Sequence, residues 1–299
     1  MITVYGSINL DIVSKMTRFP AAGETVLTPE AVPSPGGKGA NQAVAAARAG
    51  GSVYMVGAVG ADGLSIIPLD AFREAGVDTR GVAVLPRATT AIASVMVDAA
   101  GENRIVVASN ANGLAPTLTG DHLAPGGVLL MQMEIPHQSN WDALTIAKKR
   151  GAKVILNLAP FGPVDPRFLS DIDILVMNEG EAAALASHID LPVENPEGLA
   201  RSLSALGPTT VITLGGEGYV CADEKRTLTG KALDVDIVDT TGAGDAFCGC
   251  LAAAIDGHAM ELPEALQFAA AGASLACTRL GAQTAYATRD EIIARMAVA

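Results

Sequence analysis

The chain has 299 residues, of which 49% are hydrophobic and only 4% aromatic, and its formal net charge is −12. That supplies a large aliphatic core, while an acidic surface repels nucleic-acid phosphates and anionic lipids, so neither is an expected partner. The four cysteines (Cys221, Cys248, Cys250, Cys277) lack the paired spacing of a zinc site. No charged-then-apolar leader or bilayer-length apolar run stands out, and a cytoplasmic protein is expected.

In chain order, residues 2–5 predict a first strand, followed by a turn, Gly6-Ser-Ile-Asn9, that lacks the glycine pattern of dinucleotide sites. Residues 10–35 carry strand-type patches and turn residues without a helix. A helix is predicted over 39–49, a strand over 53–56 and a helix over 65–75. Residues 89–109 are again strand-like, with a turn at Asp98-Ala-Ala-Gly101-Glu-Asn103. Strands at 128–131, 154–157, 174–177 and 211–214 alternate with helices at 138–150, 179–186 and 197–206. A strand-like stretch at 235–238 precedes helices at 243–255, 262–279 and 289–297. The continuously apolar strands suit burial on both faces, and the β-α-β-α order predicts an α/β fold with a mostly parallel central sheet flanked by helices. The expectation is a single domain over 1–299, with segments 10–35 and 89–109 forming a small antiparallel β lid. In such sheets ligands bind beyond the carboxyl ends of the strands, which singles out the loops that follow them.

The most informative loop is Asp239-Thr240-Thr241-Gly242-Ala243-Gly244-Asp245, which opens a helix. Its glycines let backbone approach a ligand, and the unpaired amides at the helix start form an anion nest suited to a transferring phosphoryl group. A carboxylate inside such a nest repels its anion unless it has another task, and taking a proton from an attacking hydroxyl is one. The ordinary alternative is an aspartate that stabilises the helix dipole; the density of Thr, Gly and Asp favours the functional reading. No Walker loop occurs. A second glycine-rich turn, Gly36-Gly37-Lys38-Gly39-Ala40-Asn41-Gln42, brings polar donors to a helix start, Asn41 being suited to vicinal hydroxyls; taken alone it is better read as an ordinary turn. Asn9 and Asp11 alternate onto one face, as a hydroxyl-binding pair or equally a capped turn. Glu134 follows the 128–131 strand and could take a hydroxyl. Asn178-Glu-Gly-Glu181 is either a helix cap or a place where Glu181 orients a Mg²⁺-bound water. Thr213-Leu-Gly215-Gly216-Glu-Gly218 fits nucleotide phosphates or ribose, or a plain hairpin turn.

Together these residues resemble the ribokinase family of ATP-dependent carbohydrate kinases (the PfkB type), over nearly the whole chain, with the Gly36–Ala43 and Asp239–Asp245 stretches the most specific. The resemblance implies roles. Asp245 would be the base, with the amides of Gly242, Ala243 and Gly244 as anion hole. Asn9, Asp11, Gly37, Lys38, Asn41 and Glu134 would contact the sugar. Asn178, Thr213, Gly215, Gly218, Gly244 and Ala270 would contact ATP, with Glu181 placing Mg²⁺ or the phosphates. A monovalent cation, usually K⁺, would lie at Asp239, Thr241, Ala276, Arg279, Gly281 and Ala285. A homodimer through the β lid is also implied. The sequence departs from the family at Leu158, where proline is common, at Ala285, where serine is frequent, and at Ala270, where a larger residue packs on adenine. Phe19-Pro-x-x-Gly-Glu-Thr25 and Gly281-Ala-Gln283 resemble the members that phosphorylate D-ribose. Another pentose, a ketohexose or a nucleoside is the alternative acceptor, and a catalytically silent sugar-binding protein the non-enzyme alternative.

Overall fold

The computed structural model describes residues 1–193 and 195–298. In chain order the strands and helices are β1 (Ile2–Tyr5), β2 (Asn9–Lys15), β3 (Ala31–Gly36), α1 (Lys38–Arg48), β4 (Val53–Gly60), α2 (Ile66–Ala75), β5 (Asp78–Leu85), β6 (Ala91–Val97) and β7 (Asn103–Ala108). They continue with β8 (Val128–Met131), α3 (His137–Arg150), β9 (Lys153–Asn157), β10 (Ile174–Asn178), α4 (Glu179–His188), α5 (Pro196–Ser204), β11 (Thr209–Thr213), β12 (Tyr219–Ala222) and β13 (Thr227–Gly230). The last three helices are α6 (Ala243–Ala252), α7 (Leu262–Ala276) and α8 (Arg289–Met296). No helix among the described residues is long and apolar enough to cross a membrane.

Nine strands form the main sheet in the order β13-β12-β11-β10-β9-β8-β1-β4-β5, parallel from β11 through β5 and antiparallel at the β11-β12-β13 edge. The period of two divides its residues between two cores. Ile2, Val4, Val128 and Leu130 pack with α1, α2, α6, α7 and α8 on one face. Tyr5, Leu129, Met131 and Leu156 pack with α3, α4 and α5 on the other. The apolar runs read from the sequence are these central strands, buried because each has a helix layer on both sides.

The small sheet has the order β3-β2-β6-β7. Its outer pairings, β2 with β3 and β6 with β7, are antiparallel, and the central pairing of β2 with β6 is parallel. Each antiparallel pair comes from one of the two lid segments; the two meet at the centre because β2 leaves β1, and β6 follows β5, in the same direction.

Residues 235–238 form no strand. The sheet edge is occupied by β13, so this stretch has no neighbouring strand, and the amides of Val238 and Asp239 instead donate to the Cys277 carbonyl just past α7. Helix α6 stops at Ala252, where the backbone widens into a π-helical turn, Ala253–Gly257. The sequence reading missed β5, β12 and β13, which are short or only half apolar.

One close approach positions the site. A Cβ on Gly249 would lie 2.6 Å from the Cβ of Ala45 and 2.6 Å from the carbonyl oxygen of Gln42. Helix α6 therefore lies against α1 backbone to backbone, and one turn before the contact Asp245 faces Asn41 and Gln42.

Candidate active site

The turn into α6 is built around Gly242, whose φ of +75° is left-handed and whose Cβ would meet the Tyr286 hydroxyl at 2.6 Å, so only glycine fits. No side chain among the described residues caps α6. The Ala243 amide donates to the Thr240 carbonyl at 3.2 Å, whereas those of Gly242, Gly244 and Asp245 have no acceptor among the described residues. Three open amides at the positive end of a helix are a site for negative charge. They border a cavity of about 230 Å³ that Lys38, Asn157, Asn178, Glu181, Thr213 and Asp245 also line. A larger surface cleft of about 560 Å³, lined by Asp234, Asp236, Leu275, Thr278 and Arg295, lacks both the open amides and the buried carboxylate.

Asp245 is 6% exposed and does not cap its own helix. Its Oδ2 accepts from Asn41 Nδ2 and its Oδ1 from Gln42 Nε2, each at 2.9 Å. Adjacent residues of α1 thus hold the two oxygens, one each, and each oxygen keeps a lone pair for another partner. Helix-dipole stabilisation does not explain this arrangement. Gln42, given no role from the sequence, is as close to the carboxylate as Asn41; its only signal there was a second carboxamide in an alanine-rich helix.

Asn9, Asp11, Gly37 and Glu134 gather where the chain passes from β1 of the main sheet to β2 of the small one. Asn9 is buried, and its Oδ1 accepts from Asn112 Nδ2 at 2.8 Å, while Asn112 Oδ1 accepts from the Ile8 amide at 3.0 Å. No sequence signal marked Asn112. Gly37 has φ of +88°, and its Cβ would meet the Asn9 amide nitrogen at 2.9 Å. A Cβ on Gly36 would lie 2.1 Å from the Asp11 carboxylate, so the bare backbone of Gly36 makes room for that group. Burial, reinforced by the charges of Glu134 and Asp245, raises the Asp11 carboxyl from 3.8 to about 7. Glu134 Oε2 accepts from Ser7 Oγ at 2.6 Å and from the Lys38 amide at 2.9 Å, so this carboxylate also closes the first turn of α1.

Lys38 lines the cavity together with Asn178, Glu181 and Thr213. The charge of Asp245 raises its ammonium pKa, outweighing burial, with Glu134 and Glu181 adding to the effect. Asn178 and Glu181 form a reciprocal cap: Asn178 Oδ1 accepts from the Glu181 amide at 2.8 Å, and the Asn178 amide donates to Glu181 Oε2 at 2.9 Å. Capping and cavity lining hold at once for this pair. Burial raises the Glu181 carboxyl, against the Asn178 bond and the Lys38 charge. Gly215 and Gly218 lie in the 3₁₀ turn after β11 and its exit, outside the cavity, and the Cβ of Gly218 would strike the Gly230 carbonyl at 2.0 Å. Ala270 is buried within α7, outside the cavity lining.

Asp239 ties the α6 turn to the segment after α7. Its Oδ1 accepts from the Thr241 amide and its Oδ2 from the Gly281 amide, both at 2.9 Å. Burial acts to raise its carboxyl, but these bonds prevail and lower it. Among the described residues, the carbonyls of Thr241, Ala276, Arg279, Gly281 and Ala285 accept no hydrogen bond.

Known proteins are similar in sequence and fold. The model of the pfkB family carbohydrate kinases matches residues 1–289. A ribokinase of Haemophilus influenzae is 35% identical over 300 residues, covering 98% of this chain and 97% of the relative. The crystal structure of a ribokinase from Thermotoga maritima superposes with a TM-score of 0.91 at 32% identity, covering 99% of both chains. The structure of Arabidopsis thaliana ribokinase complexed with ribose and ATP gives 0.90 at 30% identity, covering 99% of this chain and 98% of the other. Fold, site and relatives define an ATP-dependent phosphotransferase with an alcohol group as acceptor. The chain belongs to the PfkB family of carbohydrate kinases.

Proposed function

We propose that this chain transfers the γ-phosphoryl group of ATP to the 5-hydroxyl of D-ribose, with Asp245 as the base. The observation that carries this reading is a buried carboxylate, held by one amide donor per oxygen, directly beside the open amides of α6. Asp245 takes the hydroxyl proton as the sugar oxygen bonds to the γ-phosphorus and the bond from that phosphorus to the β,γ-bridging oxygen of ATP breaks, releasing ADP. Charge on the transferring group falls on the amides at 242, 244 and 245 and on the Lys38 ammonium. Asn9, Asp11, Gly37, Asn41 and Glu134 form the sugar side, where the buried Oδ1 of Asp11 has no hydrogen-bond partner among the described residues. Lys38 serves the phosphates rather than the sugar, because it lines the cavity with the nucleotide-side residues. ATP lies along Asn178, Thr213 and Gly244, with the turn of Gly215 and Gly218 beyond them and Ala270 behind.

Mg²⁺ fits Glu181, whose second carboxylate oxygen is not used by the cap; it neutralises charge on the ATP phosphates when bound. K⁺ fits the oxygen-only set of Asp239 and the five free carbonyls described above, where it reinforces positive potential behind the anion site. The small sheet supports a homodimer. Its β3 edge carries Pro33 and Pro35, which blunt it, whereas β7 is exposed throughout and presents Ile105, Val106 and Val107 at 54%, 65% and 43% exposure.

The test is ADP release with Mg-ATP and K⁺ across ribose, deoxyribose, xylulose, fructose, adenosine and no sugar. Ribose-dependent release supports the assignment, and release with another acceptor moves the substrate while keeping the chemistry. Asp245→Asn is expected to lower kcat by roughly 10²–10⁴-fold, the usual worth of a general base, with ribose binding still measurable by calorimetry. Wild-type turnover in that variant overturns the base.

A further inference from the structure

Two buried glutamines stand behind the residues that hold Asp245. Gln132 Nε2 donates to Gln42 Oε1 at 2.7 Å, and Gln283 Nε2 donates to Asn41 Oδ1 at 3.0 Å. They come from separate parts of the fold, Gln132 just after β8 and Gln283 in the segment between α7 and α8. Both are buried, at 0% and 4% exposure, and the Oε1 of each has no partner among the described residues. Two large carboxamides placed in the core, each with its carbonyl oxygen unused, are costly unless the N–H they donate matters.

The chemistry of the carboxylate sets the polarity of both chains. An ionised Asp245 only accepts, so Asn41 and Gln42 must both turn their NH₂ groups toward it. Their carbonyl oxygens then face away and need donors, and Gln132 and Gln283 supply one each. Gln42 is further restrained because its second N–H goes to Asn157 Oδ1 at 3.0 Å, and Asn157 in turn donates to the Val176 carbonyl at 3.2 Å. Without the outer donors, the inner carbonyl oxygens lose their partners and less holds the NH₂ groups in line with the carboxylate.

We infer that Gln132 and Gln283 are positioning residues of the phosphoryl transfer: through Gln42 and Asn41 they form two converging amide relays that keep N–H groups on both oxygens of Asp245. This rests on Asp245 being the base. Neither glutamine touches the cavity, so the relays act on the orientation and ionisation of the base rather than on substrate contact.

The test compares glutamate and methionine at each outer position, in the full chain. Glutamate keeps the shape of glutamine but, when ionised, accepts only, so it draws the inner NH₂ away from Asp245 and reverses the relay. Methionine removes the donor without reversing it. Gln132→Glu and Gln283→Glu are each expected to lower kcat about tenfold beyond the matching methionine variant, a fraction of what a general base contributes, with KM for ribose and ATP nearly unchanged. The acid limb of the kcat–pH profile moves to higher pH in the glutamate variants. The other ionisable groups around the base are Lys38, Asp11, Glu181, Cys248 and Tyr286, and all are left in place, so the methionine variants control for their titration. Glutamate variants with wild-type kcat and acid limb overturn the inference. So does a series in which methionine and glutamate are equally slow and kcat follows the melting temperature, since that is a packing effect. If Gln132→Glu does not fold, the Gln283 pair decides. Loss of all activity in Asp245→Asn alongside unaffected relay variants rejects the relays and keeps the base, whereas an active Asp245→Asn rejects the base itself.

Discussion

Gly244 shows how a single residue separates folding from chemistry. It is exposed at the cavity, and a Cβ built there meets nothing within 4 Å. Alanine favours a helix over glycine by about 1 kcal/mol, so Gly244→Ala is expected to keep or slightly raise the melting temperature. Its methyl nevertheless occupies space in front of the open amides, and kcat/KM for ATP is expected to fall; thermal melts and steady-state kinetics on the same sample check both. Asp11 behaves oppositely, because the cost lies in its charge. Its folded-state pKa of about 7 stands above the ordinary 3.8, so the native state holds a proton that the unfolded chain releases earlier. The stability this proton confers is fully present below 3.8 and is lost as pH rises to about 7. The melting temperature of Asp11→Asn relative to the parent should therefore climb across that window and level off above it. A flat difference from pH 4 to pH 8 would show that the carboxyl is not raised.

At the level of elements, the α1–α6 contact carries the site. Gly249→Ala inserts a methyl against the Gln42 carbonyl and the Ala45 side chain; overpacking of this kind costs about 1–3 kcal/mol. Because Asp245 lies one turn earlier on the same helix, kcat should fall along with stability, which melts and kinetics together will show. This contact also marks the limit of what the sequence disclosed. Apolar runs such as residues 128–131 announced the central strands, since burial on two faces leaves a composition signal. The glycine-rich turn at 239–245 announced the open amides at the start of α6, since such amides require small residues at fixed offsets. Residues 235–238 misled because an apolar patch does not reveal whether a partner strand exists beside it. Gln132, Gln283 and Asn112 could not be weighed, because their roles depend on contacts with residues more than 80 positions away. Lys38 was legible as a site residue, but its place in the lining of the cavity depends on how α1 packs and could not be read from its neighbours in sequence.

For the whole molecule, β7 is the exposed edge of the small sheet. A row of unpaired backbone groups flanked by exposed Ile105, Val106 and Val107 invites pairing. The parent protein is expected to sediment as a dimer. Val106→Lys, which places a charge on the edge without touching the main sheet, is expected to shift it toward monomer with its circular dichroism unchanged; an unaltered sedimentation coefficient would place the interface elsewhere. The sharing of the site between two sheets has a consequence of its own. Asp245 and its amide donors belong to the helix layer on the main sheet, while Asn9 and Asp11 belong to β2 of the small one. Substitutions at Asn9 and Asp11 on the small sheet therefore leave the side chains that hold Asp245 in place, whereas a change at Asn41 reaches both parts. On the proposed function, such a chain is well placed for descendants to acquire new sugars by drift in the small sheet while inheriting the chemistry intact.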